Sequence, residues 1–112
     1  MDRPEASLAI QVLPQSVADE EVLDIVDKVI AYIKSTGLQS VVGPFETTIE
    51  GDFNRLMEIA AECQRICIRE GAQGLLTYMK MAYNPNSGVW SIDEKTAKHR
   101  CHNNSTALSC VP

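Results

Sequence analysis

No run of apolar residues in this 112-residue chain is long enough to span a bilayer. Its start, MDRPEASLAI, does not join a basic segment to an apolar core as a secretory leader would. With both missing, a cytoplasmic protein with reduced thiols is the expectation. A surplus of positive charge is also missing: 10 Lys and Arg stand against 15 Asp and Glu, for a formal net charge of −5. Without excess cations to neutralise phosphates, binding to nucleic acid is excluded. Histidine is scarce, and His99 and His102 both fall in a polar stretch outside any predicted core element, so no general base stands out. Paired CxxC spacing is absent as well. Cys63 and Cys67 lie four apart on one helix face and read as small core residues. Cys101 and Cys110 sit near the histidines in a tail whose HRCH run lacks zinc-ligand spacing, so no metal site is expected.

What is present fits one compact domain with one core, at an apolar content of 45%. SLAIQVLP (7–14) alternates, with Leu8, Ile10 and Val12 on one face and Ser7, Ala9 and Gln11 on the other. That period of two marks a strand, closed by Pro14. Residues 16–37 form a helix capped by Ser16, with Asp19, Glu20 and Glu21 at its start, an apolar stripe from Val22 to Ile33, and Gly37 as its stop. LQSVVGPFETTIEG (38–51) reads as two short strands parted by Gly43-Pro44. Asp52 caps a second helix that ends at Gly71, with a core stripe of Phe53, Leu56, Met57, Ala60, Cys63 and Cys67. QGLLTYMKMAYN (73–84) is a fourth strand, with Leu75, Thr77, Met79 and Met81 toward the helices. PNSG (85–88) is a turn, and Ser91 with Glu94 forms a capping box at the head of a short helix over 91–100. The domain thus occupies 1–100, and 101–112 is a polar tail. Strand, helix, strand, strand, helix, strand is the split βαβ order: an α+β sandwich with two helices on one face of a four-stranded antiparallel sheet.

The face left open would carry Ser7, Ala9, Gln11, Glu46, Thr48, Glu50, Leu76, Tyr78 and Lys80. A solvated face is one reading, since antiparallel sheets often have one. A pocket is the other. Small Ser7 and Ala9 leave room, Glu46 or Glu50 attracts a cation or accepts from an amino group, and Gln11 and Thr48 meet ring nitrogens. Tyr78 or Trp90 would stack on a flat ring. For Glu50 a helix-entry or interface contact stands beside the ligand contact, and for Lys80 an ion pair with Glu46 or Glu50.

ASLAIQVLP, the helix ending VIAYIKSTGL, PFETTIEGDFNRLMEI, YMKM and WSIDEK together resemble the small thiamine-binding protein family, over roughly residues 5 to 98. The resemblance implies a ferredoxin-like βαββαβ domain that assembles as a homodimer or homotetramer. It also implies a non-enzymatic domain that binds thiamine or its hydroxymethylpyrimidine moiety beside the sheets or at a subunit interface, with no cofactor beyond that ligand. Gln11 falls on the IQVLP motif, Glu46, Thr47, Thr48 and Glu50 on ETTIEG, and Lys80 on the fourth strand. With Tyr78 and Trp90 they make up the expected ligand set. An enzyme on this fold is disfavoured: the first loop, PQSVADE, is acidic where an acylphosphatase-like site needs an Arg. A tautomerase needs Pro directly after Met1, and here the first proline is Pro4. The alternative to thiamine binding is a structural or regulatory oligomeric module that senses another small ligand.

Overall fold

The structure is a computed structural model that describes residues 3–103, and the side chains of residues 3–97. Its elements are β1 (Ala6–Gln15), α1 (Asp19–Ser35), β2 (Ser40–Val42), β3 (Thr47–Gly51), α2 (Phe53–Arg69), β4 (Gly74–Tyr83) and α3 (Ile92–Asn103). The strands lie in the order β2-β3-β1-β4, and each neighbouring pair is antiparallel. This is the expected α+β arrangement, with the C-terminal helix in addition.

Register fixes the two faces. Leu8 lies opposite Ile49 of β3 and Met81 of β4, and Ile10 opposite Thr47 and Met79. This side faces the helices, and Leu8, Ile10, Val12 and Ile49 are buried there. From above, α1 contributes Ile25, Val29 and Ile33, and α2 contributes Leu56, Ile59, Ala60, Cys63, Ile66 and Cys67. The α2 stripe differs from the expected one. Met57 is 47% exposed, while Ile59 and Ile66 are buried in its place. Steps of three and four from Leu56 reach Ile59, Ala60, Cys63, Ile66 and Cys67, and Met57 falls to the side of that arc.

Three boundaries are corrected. β1 continues past Pro14 to Gln15. It pairs with β3 only as far as Ile10, so one of its edges is already unpaired where proline removes a donor. Ser16 does not cap α1. Its φ of 62° places it in the left-handed region, and Ala18 is the N-cap residue, with its N–H bonded to the Glu21 carboxylate at 3.0 Å. Asp52 is the N-cap residue of α2, but its side chain makes no capping bond. The Phe53 N–H donates instead to Glu5 Oε1 at 2.8 Å. A carboxylate at the foot of β1 therefore meets the positive end of α2. The stops hold as expected, with Gly37 at φ 77° and Gly71 at φ 114°.

Helix α3 runs to Asn103, beyond the expected end at 100. Its capping box is formed: the Ser91 N–H donates to Glu94 Oε1 at 2.9 Å, and the Glu94 N–H to Ser91 Oγ at 3.0 Å. The tail from residue 104 and the side chains of His99, Cys101 and His102 lie outside the described residues. No helix among the described residues is long and apolar enough to cross a membrane.

Candidate functional site

The open face of the sheet is built in rows. Ala9 of β1 pairs with Thr48 on one side and Lys80 on the other, and Thr48 pairs with Val41. One row thus reads Val41, Thr48, Ala9, Lys80. The next reads Glu50, Ser7, Ala82. Both rows carry a small side chain on β1, Ala9 in the first and Ser7 in the second, and Ala82 beside Ser7 is small as well. That leaves a depression between taller neighbours.

Helix α3 lies over this depression and makes it a cavity of about 450 Å³. Ser7, Ala9, Val41, Glu46, Thr48, Lys80 and Ala82 line it from the sheet, and Ile92, Lys95 and Thr96 from α3. The spacing i, i+3, i+4 puts those three α3 residues on one helix face. The volume falls within the range of small-molecule sites.

Glu46 enters from the β2–β3 hairpin. Its carbonyl accepts the Gly43 N–H at 2.8 Å, and a Cβ at Gly43 would lie 3.0 Å from that oxygen. The glycine therefore lets the turn close tightly and fixes where Glu46 leaves the strand. Glu46 Oε2 lies 3.9 Å from Lys80 Nζ. The two come from β3's side and from β4, so they meet diagonally across β1. At this distance, with Lys80 largely in water and Glu46 half-buried, the pair adds little to stability. A ligand group that accepts from Lys80 or donates to Glu46 competes with it at little cost.

Glu50 has a different task. Its Oε1 accepts the Ile92 N–H at 2.7 Å. It thus ties the first turn of α3 to β3, the helix-entry contact weighed above. Arg3 holds the same helix from outside: its Nε and Nη2 reach the Glu94 carboxylate at 3.0 to 3.2 Å. That guanidinium keeps the Glu94 carboxyl below its ordinary value of 4.5, helped by the Ser91 N–H. The N-terminal strap is fastened in turn by the Val89 N–H, which donates to the Pro4 carbonyl at 2.8 Å.

The expected ligand set divides. Glu46, Thr48 and Lys80 line the cavity together. Thr47 is 7% exposed and points to the helix side; it lines a second, smaller cavity of about 220 Å³ between α1 and the hairpin, whose rim Gln11 and Glu46 also reach. Tyr78 lies opposite Gln11 on β4 and is 60% exposed, and it lines neither cavity. Trp90, also largely exposed, precedes α3 and lines neither. Ile92, Lys95 and Thr96 were not foreseen. Their spacing in the sequence marked one helix face, but the mostly polar helix carried no sign that this face would fold back over the open sheet.

Chemically the cavity offers one carboxylate, two ammonium groups, the hydroxyls of Ser7, Thr48 and Thr96, and apolar walls from Val41, Ala82 and Ile92. Neither buried thiol belongs to it. Burial pushes the Cys63 thiol up to about 12, with the nearby Cys67 and Glu62 adding to the effect, and burial also raises Cys67. Both are free cysteines, and no cluster suited to a metal occurs among the described residues.

Fold and cavity define the class: a ferredoxin-like α+β domain with a cavity of about 450 Å³ between its open sheet face and an added helix. Comparison with known proteins gives the family. Residues 8–100 match the family model described as thiamine-binding protein, and the chain belongs to that family. A UPF0045 protein of Clostridium perfringens is 45% identical over 94 residues, covering 84% of this chain and 96% of that one. Among solved structures, a domain of unknown function from Bacillus cereus superposes with a TM-score of 0.78 at 34% identity, covering 87% of this chain and 91% of its own. A Thermotoga maritima protein assigned provisionally to thiamine biosynthesis or salvage gives 0.76 at 31% identity, covering 87% of this chain and 100% of its own.

Proposed function

We propose that this protein binds thiamine, or its hydroxymethylpyrimidine moiety, without chemical conversion, in the cavity between the open sheet face and α3. The observation that carries this reading is the placement of Glu46, Thr48 and Lys80 around Ala9 in one cavity of ligand size, in a chain of the thiamine-binding family. The aminopyrimidine presents an exocyclic amine and ring nitrogens on a flat apolar ring. Glu46 accepts from the amine, and the hydroxyls of Ser7 and Thr48 donate to ring nitrogens. Val41, Ala82 and Ile92 cover the ring faces. The free thiols at Cys63 and Cys67 accord with a cytoplasmic setting.

Calorimetric titration of the purified protein with thiamine and with the hydroxymethylpyrimidine tests the reading. Saturable binding is expected, weakened about tenfold or more by Glu46→Gln, the effect of losing one charge-assisted hydrogen bond. Tyr78→Ala and Thr47→Ser lie outside the cavity and serve as controls of nearly unchanged affinity. Absence of binding by either compound would set thiamine aside in favour of a regulatory module for another ligand.

A further inference from the structure

The charges around the cavity do not match thiamine alone. Three charged side chains line it, Glu46, Lys80 and Lys95, in a chain whose formal net charge is −5. Glu46 faces Lys80 at 3.9 Å. Lys95 forms no ion pair among the described residues, and it faces the sheet one helical turn beyond Ile92. Among the side chains that line the cavity there is thus one more positive charge than negative, while the Glu50 carboxylate, close behind Ile92, is directed at the first N–H of α3. Thiamine brings a permanent cation on its thiazolium ring, and that cation would sit against a surplus of its own sign. An anionic substituent on the ligand removes the conflict.

We infer that the preferred ligand is a phosphate monoester, of the hydroxymethylpyrimidine or of thiamine, with Lys95 as the residue that receives the phosphate. The inference rests on the thiamine reading and deepens it. An ammonium group is a compact point donor suited to phosphate oxygens. The Thr96 hydroxyl, next along the same helix, donates to the Ile92 carbonyl at 2.8 Å and would have to turn from it to reach the phosphate, so Lys95 carries the contact. Glu46, on the hairpin side, is left to take the amine at the ligand's other end. On this assignment Glu46 and Lys95 divide the work: the carboxylate selects the base and the lysine selects the phosphorylated form.

The test compares four probes on the full chain by calorimetry: thiamine, thiamine monophosphate, the hydroxymethylpyrimidine and its monophosphate. Each phosphate ester is expected to bind about tenfold tighter than its parent. Lys95→Gln should bring ester and parent within about twofold, and Lys95→Arg should keep most of the gap. Raising the salt concentration should narrow the gap in the wild type. Because the readout is a ratio on one variant, a general loss of fold or cavity would lower both members alike. Two results overturn the inference while leaving thiamine binding in place: parents binding as tightly as esters, or an ester preference that survives in Lys95→Gln. If none of the four probes binds, the thiamine reading itself falls, and this inference falls with it.

Discussion

At the scale of single residues, two carboxylates four residues apart on the same motif do opposite things. Glu46 stays in reach of solvent and faces Lys80, while Glu50 is spent on the Ile92 N–H at 2.7 Å. Alternation placed both on the open face and could go no further, because the partner that claims Glu50 lies 42 residues away. Removing that acceptor should free the first turn of α3. Glu50→Ala is expected to lower the local stability of α3 by about 1 kcal/mol, the size of a lost helix cap. Hydrogen exchange over 92–97 should quicken several-fold with the sheet unchanged, and affinity for any ligand of the cavity should fall with it. Unaltered exchange in α3 would show that Glu50 does not hold it. The cysteines make a second prediction at this scale. With its thiol pushed up to about 12 and fully buried, Cys63 is protonated and shielded at pH 8. Iodoacetamide should leave Cys63 and Cys67 unmodified in the folded protein and label both in urea, as read by mass spectrometry. Rapid labelling of the native form would contradict the burial described above.

At the scale of elements, what the sequence revealed depended on how local the signal was. The alternation of β1, the glycine stops of both long helices, and the Ser91–Glu94 box were legible because each involves neighbours a few residues apart. The cap of α2 was not, because Glu5 reaches Phe53 from 48 residues away and Asp52 looked sufficient. The misassigned Ser16 shows the converse: a good capping residue stands two positions before the real N-cap and adopts a positive φ. The largest omission, α3 as a roof over the open face, follows from the same limit. It is held by Glu50 and Arg3, both remote in sequence, and not by a strong apolar stripe of its own. This attachment should respond to acid. The folded-state pKa of Glu94 is depressed by Arg3, so the contact adds stability above the ordinary value of 4.5 and loses it as pH falls through the lower folded value. The exchange protection of α3 in the wild type should therefore exceed that in Arg3→Gln at pH 7 and pH 5. The difference should shrink toward zero as pH falls below 4.5. A difference that persists in acid would mean that Arg3 supports α3 by packing and not through its charge.

At the scale of the whole molecule, α3 roofs only part of the open face. Beyond Ala9 the same face carries Gln11 opposite Tyr78 and Leu13 opposite Leu76, and Leu13, Leu76 and Tyr78 are all exposed. Leu76 and Tyr78 lie on β4, a ten-residue strand at the end of the sheet order whose one partner is β1, which carries Leu13. A long edge strand beside uncovered apolar side chains is a surface that proteins ordinarily cover. We propose that a second copy of the chain covers it, consistent with the expectation of a homodimer or homotetramer. Such an interface would lie beside the cavity rather than over it, because the bare rows and the rows under α3 are successive along β1. Charge introduced there should break the association without touching the ligand groups. Leu76→Lys is expected to shift the protein toward monomer at micromolar concentration in sedimentation velocity, because burying an unpaired ammonium at a subunit contact costs several kcal/mol, about a thousandfold in dimer affinity. Intrinsic ligand affinity should be preserved in that monomer if the cavity belongs to one chain alone. Loss of ligand binding together with dissociation would instead mean that the partner completes the site. A wild type that sediments as monomer would remove self-association from the account, and the exposed Leu13, Leu76 and Tyr78 would then be left to a different partner.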